Sequence, residues 1–155
     1  MNKVKQLRER IQPDPRYGSK LVSKFINRLM WDGKKTTAEK IFYDALQIID
    51  KRIKDEDPLK VFEVAVKNIC PILEVKSKRI GGTTYQVPVE VNHKRRQTLA
   101  FRWMLAAVRK KKGRPTAQRL AAEIIDGFNK EGAAYAVREN THKMAEANKA
   151  FAHFG

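Results

Sequence analysis

The chain has 155 residues, of which 42% are hydrophobic, so it can bury a core as one domain and is too apolar to be disordered. It carries 33 Lys and Arg against 17 Asp and Glu, a formal net charge of +16, which favours a polyanionic partner over a merely soluble surface. The single Cys70 excludes a disulfide framework and a thiolate zinc site, and the absence of a signal-like or membrane-spanning stretch predicts a cytoplasmic protein.

Residues 1–19 are predicted to form a basic N-terminal arm. Charged side chains outnumber apolar ones there, and Pro13 and Pro15 rule out a continuous helix. The basic residues of this arm are Lys3, Lys5, Arg8, Arg10 and Arg16. Residues 20–155 are predicted to form a single helical domain.

Three helices are predicted in the first half of that domain. Apolar residues repeat with helical spacing over residues 20–31. The second helix is predicted to start at Thr36, with Glu39 three residues later completing a capping box. The third is predicted to have Asp57 as its N-cap and Pro58 in its first turn.

The hydrophobic period then changes to two on either side of Gly81-Gly82. Residues 73–79 and 85–91 both alternate, which predicts a two-stranded β-ribbon at about residues 72–91. Since an isolated ribbon is marginally stable in water, its tip is expected to be ordered by a partner.

Three more helices are predicted after the ribbon. The fourth covers residues 93–112 with Asn92 as its N-cap, and Thr116 is predicted to cap the fifth. The sixth runs from about residue 133 to 151, and its inward residues are predicted to be Val137, Met144, Ala145 and Phe151. The predicted fold is mainly α, a bundle of about six helices with a protruding two-stranded β-ribbon between the third and fourth.

The positive charge is concentrated in two segments. Residues 1–38 carry ten basic and three acidic residues, and residues 91–122 carry ten basic residues and no acidic one. A surface built for solubility would mix the signs, so this segregation predicts a nucleic-acid-binding face. Besides those of the arm, the candidate RNA-contacting residues are Lys20, Lys24, Arg28, Lys34, Lys35, Arg95, Arg96, Arg102, Arg109, Lys110, Lys111, Lys112, Arg114 and Arg119.

Some of these residues have a simpler explanation. Lys110–Lys112 lie at a helix C-terminus, where positive charge complements the helix dipole, and Lys34-Lys35 are equally well explained as a solvated loop. By contrast, Arg95, Arg102 and Arg109 are spaced by seven, which places them within about 40° on one side of a helix.

Catalytic and metal-binding patterns are missing from the sequence. The segment Gly33–Thr36 lacks the upstream glycine of a phosphate loop, since position 28 is Arg28. The three histidines have no ligand spacing. Tyr17 and Tyr85 are candidates for base stacking, whereas Trp103 is predicted to pack in the core. We therefore expect no enzyme, no metal and no cofactor.

Several segments resemble the small-subunit ribosomal protein seven family, in its bacterial or organellar form. The similar segments are residues 32–41, 57–63, 74–91, 95–103 and 142–153. The likeness extends over about residues 13–153, and the ribbon and the C-terminal segment carry its most specific motifs.

The resemblance implies a structural constituent of the small ribosomal subunit. It implies a primary binder of small-subunit ribosomal RNA that nucleates assembly of the head, on a cytoplasmic or an organellar ribosome. It also implies small-subunit proteins nine and eleven as neighbours, and a ribbon reaching toward the exit-site transfer RNA and the messenger RNA. The ribbon residues near those RNAs would be Lys76, Lys78, Arg79, Gly81, Gly82 and Tyr85.

An architectural DNA-binding protein is the alternative, because such proteins also combine a helical body with basic β-arms. They insert apolar side chains between base pairs, and only Ile80 at the ribbon tip is apolar, which weakens that alternative. A membrane-surface protein is disfavoured because the basic segments lack a matching apolar face.

Overall fold

The computed structural model describes residue 3 and residues 10–155. Residues 10–155 contain six α-helices, a two-stranded ribbon and a closing 3-10 helix. The elements are α1 (Lys20–Leu29), α2 (Lys35–Arg52), α3 (Pro58–Ile69), β1 (Leu73–Ile80), β2 (Thr83–Glu90), α4 (His93–Lys110), α5 (Thr116–Phe128), α6 (Gly132–Ala147) and the 3-10 helix Lys149–Phe154. The mainly helical class, with a ribbon between the third and fourth helices, is confirmed.

Four phenylalanines from four helices form the centre of the core. The ring of Phe25 in α1 lies 5.6 Å from that of Phe42 in α2, 5.1 Å from Phe62 in α3 and 5.2 Å from Phe101 in α4. Edge-to-face and tilted pairs at these distances are favourable beyond the area they bury. This cluster fixes α1 against α4, the two helices that carry most of the basic residues.

Two predicted helix caps were wrong, and two were confirmed. Asp57 is the N-cap residue of α3, with Pro58 in the first turn, although its side chain makes no capping hydrogen bond. α2 begins at Lys35 without a side-chain cap, so Thr36 and Glu39 form no capping box. α5 begins at Thr116 itself, because Pro115 occupies the N-cap position, where its fixed φ suits the entry to a helix. Asn92 does cap α4, since its side-chain oxygen accepts from the backbone N–H of Arg95 at 2.9 Å.

A tight turn explains how α2 starts. Asp32 and Gly33 have φ values of 50° and 72°, and the N–H of Lys34 donates to the carbonyl of Trp31 at 2.9 Å. α1 therefore ends at Leu29 rather than at Trp31, and the chain enters α2 directly from this turn. α4 likewise ends at Lys110 rather than at residue 112.

The ribbon forms in the predicted place, with its turn at Gly81-Gly82. Ile80 pairs with Thr83 across Gly81 and Gly82, whose φ values are 58° and 82°. Two consecutive positive φ values define the hairpin turn whose twist matches the flanking strands, and glycine adopts them without strain.

The C-terminal segment supports the ribbon. The ring of Tyr85 lies 5.2 Å from Phe151 and 5.0 Å from Phe154, and Lys78 Nζ donates to the carbonyl of Phe154 at 2.6 Å. Tyr85 is therefore packed against its own chain, and the chain itself supplies part of the support that sequence analysis assigned to a partner.

The inward face of α6 differs from the prediction. Val137 and Met144 are exposed (40% and 53%), whereas Ala145 is buried as predicted. Polar side chains one turn apart take the inward positions: Arg138 Nε donates to the carbonyl of Cys70, and His142 Nε2 accepts from the N–H of Ile72. The predicted single helix also breaks after Ala147, which turns Phe151 onto the ribbon.

Candidate nucleic-acid interface

The basic residues of α1 and α4 meet in one shallow groove. Arg28 from α1 and Arg102 and Arg109 from α4 line it, with Leu105 and Ala106 between them, and its volume is about 320 Å³. Arg109 Nη2 donates to the backbone carbonyl of Arg28 at 3.4 Å, which joins the two helices. We call this the arginine groove. Three residues singled out from two distant segments are thus brought together.

Basic residues continue from the arginine groove along the chain in both directions. Lys34 and Lys35 follow the turn after α1. Lys110 ends α4, and Lys111, Lys112 and Arg114 come after it; all of these residues are exposed. Lys20 and Lys24 are exposed on α1. Within residues 10–155, the only one of these with an ion pair to a carboxylate is Lys111.

Four candidate residues on and beside α4 are instead used by the fold. Arg95 Nη2 lies 3.4 Å from Glu74 Oε2 at the base of the ribbon, so it does not share the groove with Arg102 and Arg109 despite the spacing of seven. Arg96 Nε donates to the carbonyl of Val91 at 2.8 Å.

The other two residues close the C-terminal end of α4. Arg119 donates to the carbonyl of Val108 at 3.0 Å and to that of Lys111, which satisfies acceptors that a helix end leaves open. Lys111 Nζ lies 3.2 Å from a carboxylate oxygen of the fully buried Glu123.

The described part of the arm is tied to α2. Asp14 is buried, and its carboxylate accepts from the hydroxyl of Tyr43 at 2.6 Å. The guanidinium of Arg16 lies over the ring of Tyr43 at 4.9 Å, and Tyr17 packs against the same ring at 5.8 Å. Burial, followed by the hydrogen bond to Asp14, raises the pKa of Tyr43. Tyr17 is therefore held by Tyr43 rather than presented as a free stacking surface.

The remaining arm candidates are only partly described. Lys3 and Arg10 are exposed, whereas Lys5 and Arg8 lie outside the described residues.

The ribbon presents its basic residues unevenly. Lys76 Nζ lies 3.6 Å from Glu74 Oε1, and Lys78 Nζ donates to the backbone carbonyl of Phe154. Arg79 is exposed next to the Gly81-Gly82 turn, without an ion pair to any residue in the range 10–155. Arg79 is thus the ribbon cation most available to a partner.

Trp31 was predicted only as the last residue of the first helix, but its side chain lies on the surface. It is 65% exposed, and the guanidinium of Arg109 lies 4.7 Å from the centre of its ring. Trp103, the other tryptophan, packs against the core as predicted. A signal for Trp31 was present in the sequence, since a tryptophan beside Asp32-Gly33 lies in a turn rather than on an apolar helix face.

A histidine at the root of the ribbon is expected to respond to pH. His142 Nε2 accepts from the N–H of Ile72 at 3.0 Å, which requires the neutral ring. Partial burial, and then the nearby Arg138, lower the pKa of His142 from 6.5. Because the pKa of His142 is lower in the folded chain than in the unfolded chain, neutral His142 stabilises the fold above about pH 6.5. This stabilisation is lost as the pH falls through the pKa of His142 in the folded chain.

Lowering the pH from about 7.5 to about 5 should therefore reduce the hydrogen-exchange protection factor of the Ile72 amide, by up to the roughly 0.5–1.5 kcal/mol of one hydrogen bond. Amide exchange read by NMR, corrected for intrinsic rates, measures this. His142→Gln keeps an acceptor that does not titrate, so its protection should not change with pH. A protection factor equally flat in the wild-type protein would contradict the prediction.

The described part of the chain contains no group of three His, Cys, Asp or Glu residues placed to hold a metal ion. Burial raises the pKa of the Cys70 thiol, as expected for an inert packed cysteine. None of the helices in that same part is both long and apolar enough to cross a membrane.

Comparison with known proteins finds a family model and similar proteins that agree on one family. The family model described as ribosomal protein S7p/S5e matches residues 1–149. A Rhodopirellula baltica protein named small ribosomal subunit protein uS7 is 61% identical over 155 residues, covering 99% of both chains. Proteins of the same name from Nitratiruptor sp. (58% over 144 residues, 93% of this chain and 92% of the relative) and Thermotoga maritima (53% over 154 residues, 99% of both) are also similar. The chain therefore belongs to the ribosomal protein S7p/S5e family.

Proposed function

We propose that this protein is a structural constituent of the small ribosomal subunit and that it binds ribosomal RNA through the arginine groove and the basic residues that continue from it. Membership of the S7p/S5e family supports a ribosomal, non-enzymatic role on the cytoplasmic ribosome. The matches give no support to the architectural DNA-binding alternative.

The observation that carries the RNA-binding proposal is the meeting of Arg28, Arg102 and Arg109 in one groove. Arginines from two helices held this close repel one another, and phosphate oxygens relieve that repulsion by accepting their hydrogen bonds. Within residues 10–155, no carboxylate forms an ion pair with Arg102 or Arg109. The groove is thus suited to bind an external anion.

We further propose that the protein nucleates assembly of the subunit head and that the ribbon extends toward the exit-site transfer RNA and the messenger RNA. The packing of Tyr85 on Phe151 and Phe154 supports this, because a braced ribbon holds its tip at a defined position. The exposed tip offers Arg79 and two glycines, which let an RNA backbone approach closely. Contacts with small-subunit proteins nine and eleven are proposed from the family resemblance alone.

A competition experiment tests the RNA-binding proposal. The protein should bind a folded transcript of bacterial small-subunit ribosomal RNA with much higher affinity than duplex DNA of the same length at the same salt concentration. The reason is that a fixed groove fits the phosphate positions of one folded RNA and only approximates those of a regular duplex. Filter binding with labelled RNA and unlabelled competitor measures the ratio, and equal competition by the two nucleic acids would refute the proposal.

A shortened ribbon provides the control in the same assay. Removing residues 79–80 together with residues 83–84 joins Lys78 to Tyr85 through the Gly81-Gly82 turn, so the strand register and the contacts with Phe154 are kept. This variant should bind the transcript as the wild type does and should lose only exit-site transfer RNA binding in assembled subunits. Loss of primary RNA binding would instead refute a separate role for the ribbon.

A further inference from the structure

An exposed tryptophan at the end of the arginine groove is the feature that the RNA-binding proposal leaves unexplained. Trp31 is 65% exposed, the largest exposed fraction among the large hydrophobic residues of the described part of the chain. An exposed aromatic side chain beside a basic groove supplies a surface on which a nucleic-acid base can stack. In the described part of the chain, Trp31 forms no ring pair with the buried phenylalanines around Phe25.

Trp31 is held through its backbone and through one face of its ring. Its backbone carbonyl closes the turn by accepting from the N–H of Lys34 at 2.9 Å, and Asp32 and Gly33 hold the turn with positive φ values. The guanidinium of Arg109 lies over one face of the ring at 4.7 Å. An indole held in this way loses little conformational entropy when a second flat group stacks on it.

Arg109 connects the indole to the arginine groove. It covers Trp31 and also lines the groove with Arg102 and Arg28. On α4, Arg102, Ala106 and Arg109 are spaced i, i+4 and i+7, so they share one face, and the small Ala106 leaves space between the two guanidinium groups. A flat aromatic surface and a pocket for an anion therefore lie next to each other.

A nucleotide has these two chemical parts in the same arrangement. We propose that Trp31 stacks on one unpaired base of the bound RNA while Arg102 and Arg109 bind the phosphate of that nucleotide. Every base has a π face, so the site selects a base that is free of its helix rather than a particular sequence. This inference rests on the proposed RNA-binding function and adds a nucleotide subsite to it.

Substitutions of Trp31 test the subsite. Against the folded small-subunit ribosomal RNA transcript at fixed salt, Trp31→Ala should weaken binding by about 5- to 150-fold, the range found when one stacking aromatic is removed. Trp31→Phe should recover most of that loss, because phenylalanine still stacks. The slope of affinity against salt should stay unchanged, since no phosphate contact is removed. Met144→Ala, which trims another exposed hydrophobic residue on α6, should bind as the wild type does.

Fluorescence gives an independent readout. Trp31 and Trp103 are the two tryptophans, and Trp103 is packed against the core. Saturating RNA should therefore quench wild-type emission and leave the emission of Trp31→Phe nearly unchanged, because a stacked base quenches only the indole it touches.

The outcomes separate this inference from the proposed function. Wild-type protein that binds the transcript, combined with Trp31→Ala of equal affinity or with unquenched wild-type emission, overturns the stacking subsite and leaves the proposed function standing. Wild-type protein that does not prefer the transcript to duplex DNA overturns the proposed function, and the subsite with it.

Discussion

Raising the salt concentration from about 50 to about 200 mM should weaken binding of the protein to small-subunit ribosomal RNA by about 10³- to 10⁵-fold, if about six to ten phosphates are neutralised. Each phosphate contact releases condensed counterions, and this release becomes less favourable as salt is added. The exposed cations that continue from the arginine groove are sufficient for such a number of contacts. A salt titration by filter binding gives the slope, and an affinity nearly independent of salt would contradict an interface based on phosphates.

Two matched arginine variants assign part of that slope to the groove. Arg102→Gln should lower the magnitude of the slope of log affinity against log salt concentration by about 0.7–0.9, the contribution of one phosphate contact. Arg52→Gln removes another exposed arginine, at the end of α2 and outside the groove, and should leave the slope unchanged. The same decrease in both variants would mean that net charge, rather than the groove, determines binding.

Lys111→Met should lower the free energy of unfolding by about 3 kcal/mol at neutral pH. Glu123 is fully buried; one of its carboxylate oxygens accepts from the N–H of Ala134 at 2.9 Å, and the other lies 3.2 Å from Lys111 Nζ. Removing the ammonium leaves a buried carboxylate with only one partner. The expected loss is at the low end of the usual range for such changes, because the Lys111 side chain is 44% exposed and water takes part of its place.

Urea denaturation at neutral pH measures this effect, and a second substitution identifies its cause. Adding Glu123→Gln to Lys111→Met removes the buried charge, keeps the acceptor for Ala134 and should restore most of the stability. A double variant as unstable as Lys111→Met alone would show that the charge is not the cause.

Local sequence patterns were sufficient to predict the elements whose structure depends only on residues close together in the sequence. The ribbon and its turn were predicted because a hydrophobic period of two and a Gly-Gly pair are local properties, and the two glycines do adopt the positive φ values that the turn requires. The cap by Asn92 belongs to the same class. The capping box at Thr36 failed because the turn through Asp32 and Gly33 already delivers the chain into α2 one residue earlier.

Contacts between distant segments explain what sequence patterns missed. α6 was expected to bury Val137 and Met144, but Arg138 and His142 face inward because their hydrogen-bond partners lie near residue 70. For the same reason, the concentration of charge predicted which helices carry the candidate site but not which cations serve the fold. The pairing of Arg95 with Glu74 depends on where the ribbon begins, and no spacing within α4 indicates it.

The bracing of the ribbon has a mechanical consequence. Each strand of eight residues extends about 26 Å. A rotation of the ribbon by 10° about its root would therefore move its tip by roughly 4–5 Å. The hydrogen bond between Lys78 and Phe154 holds β1 at its sixth residue, beyond the root, and so limits that rotation. The position of the ribbon tip therefore depends on residues 149–155, although these residues contact the ribbon away from its tip.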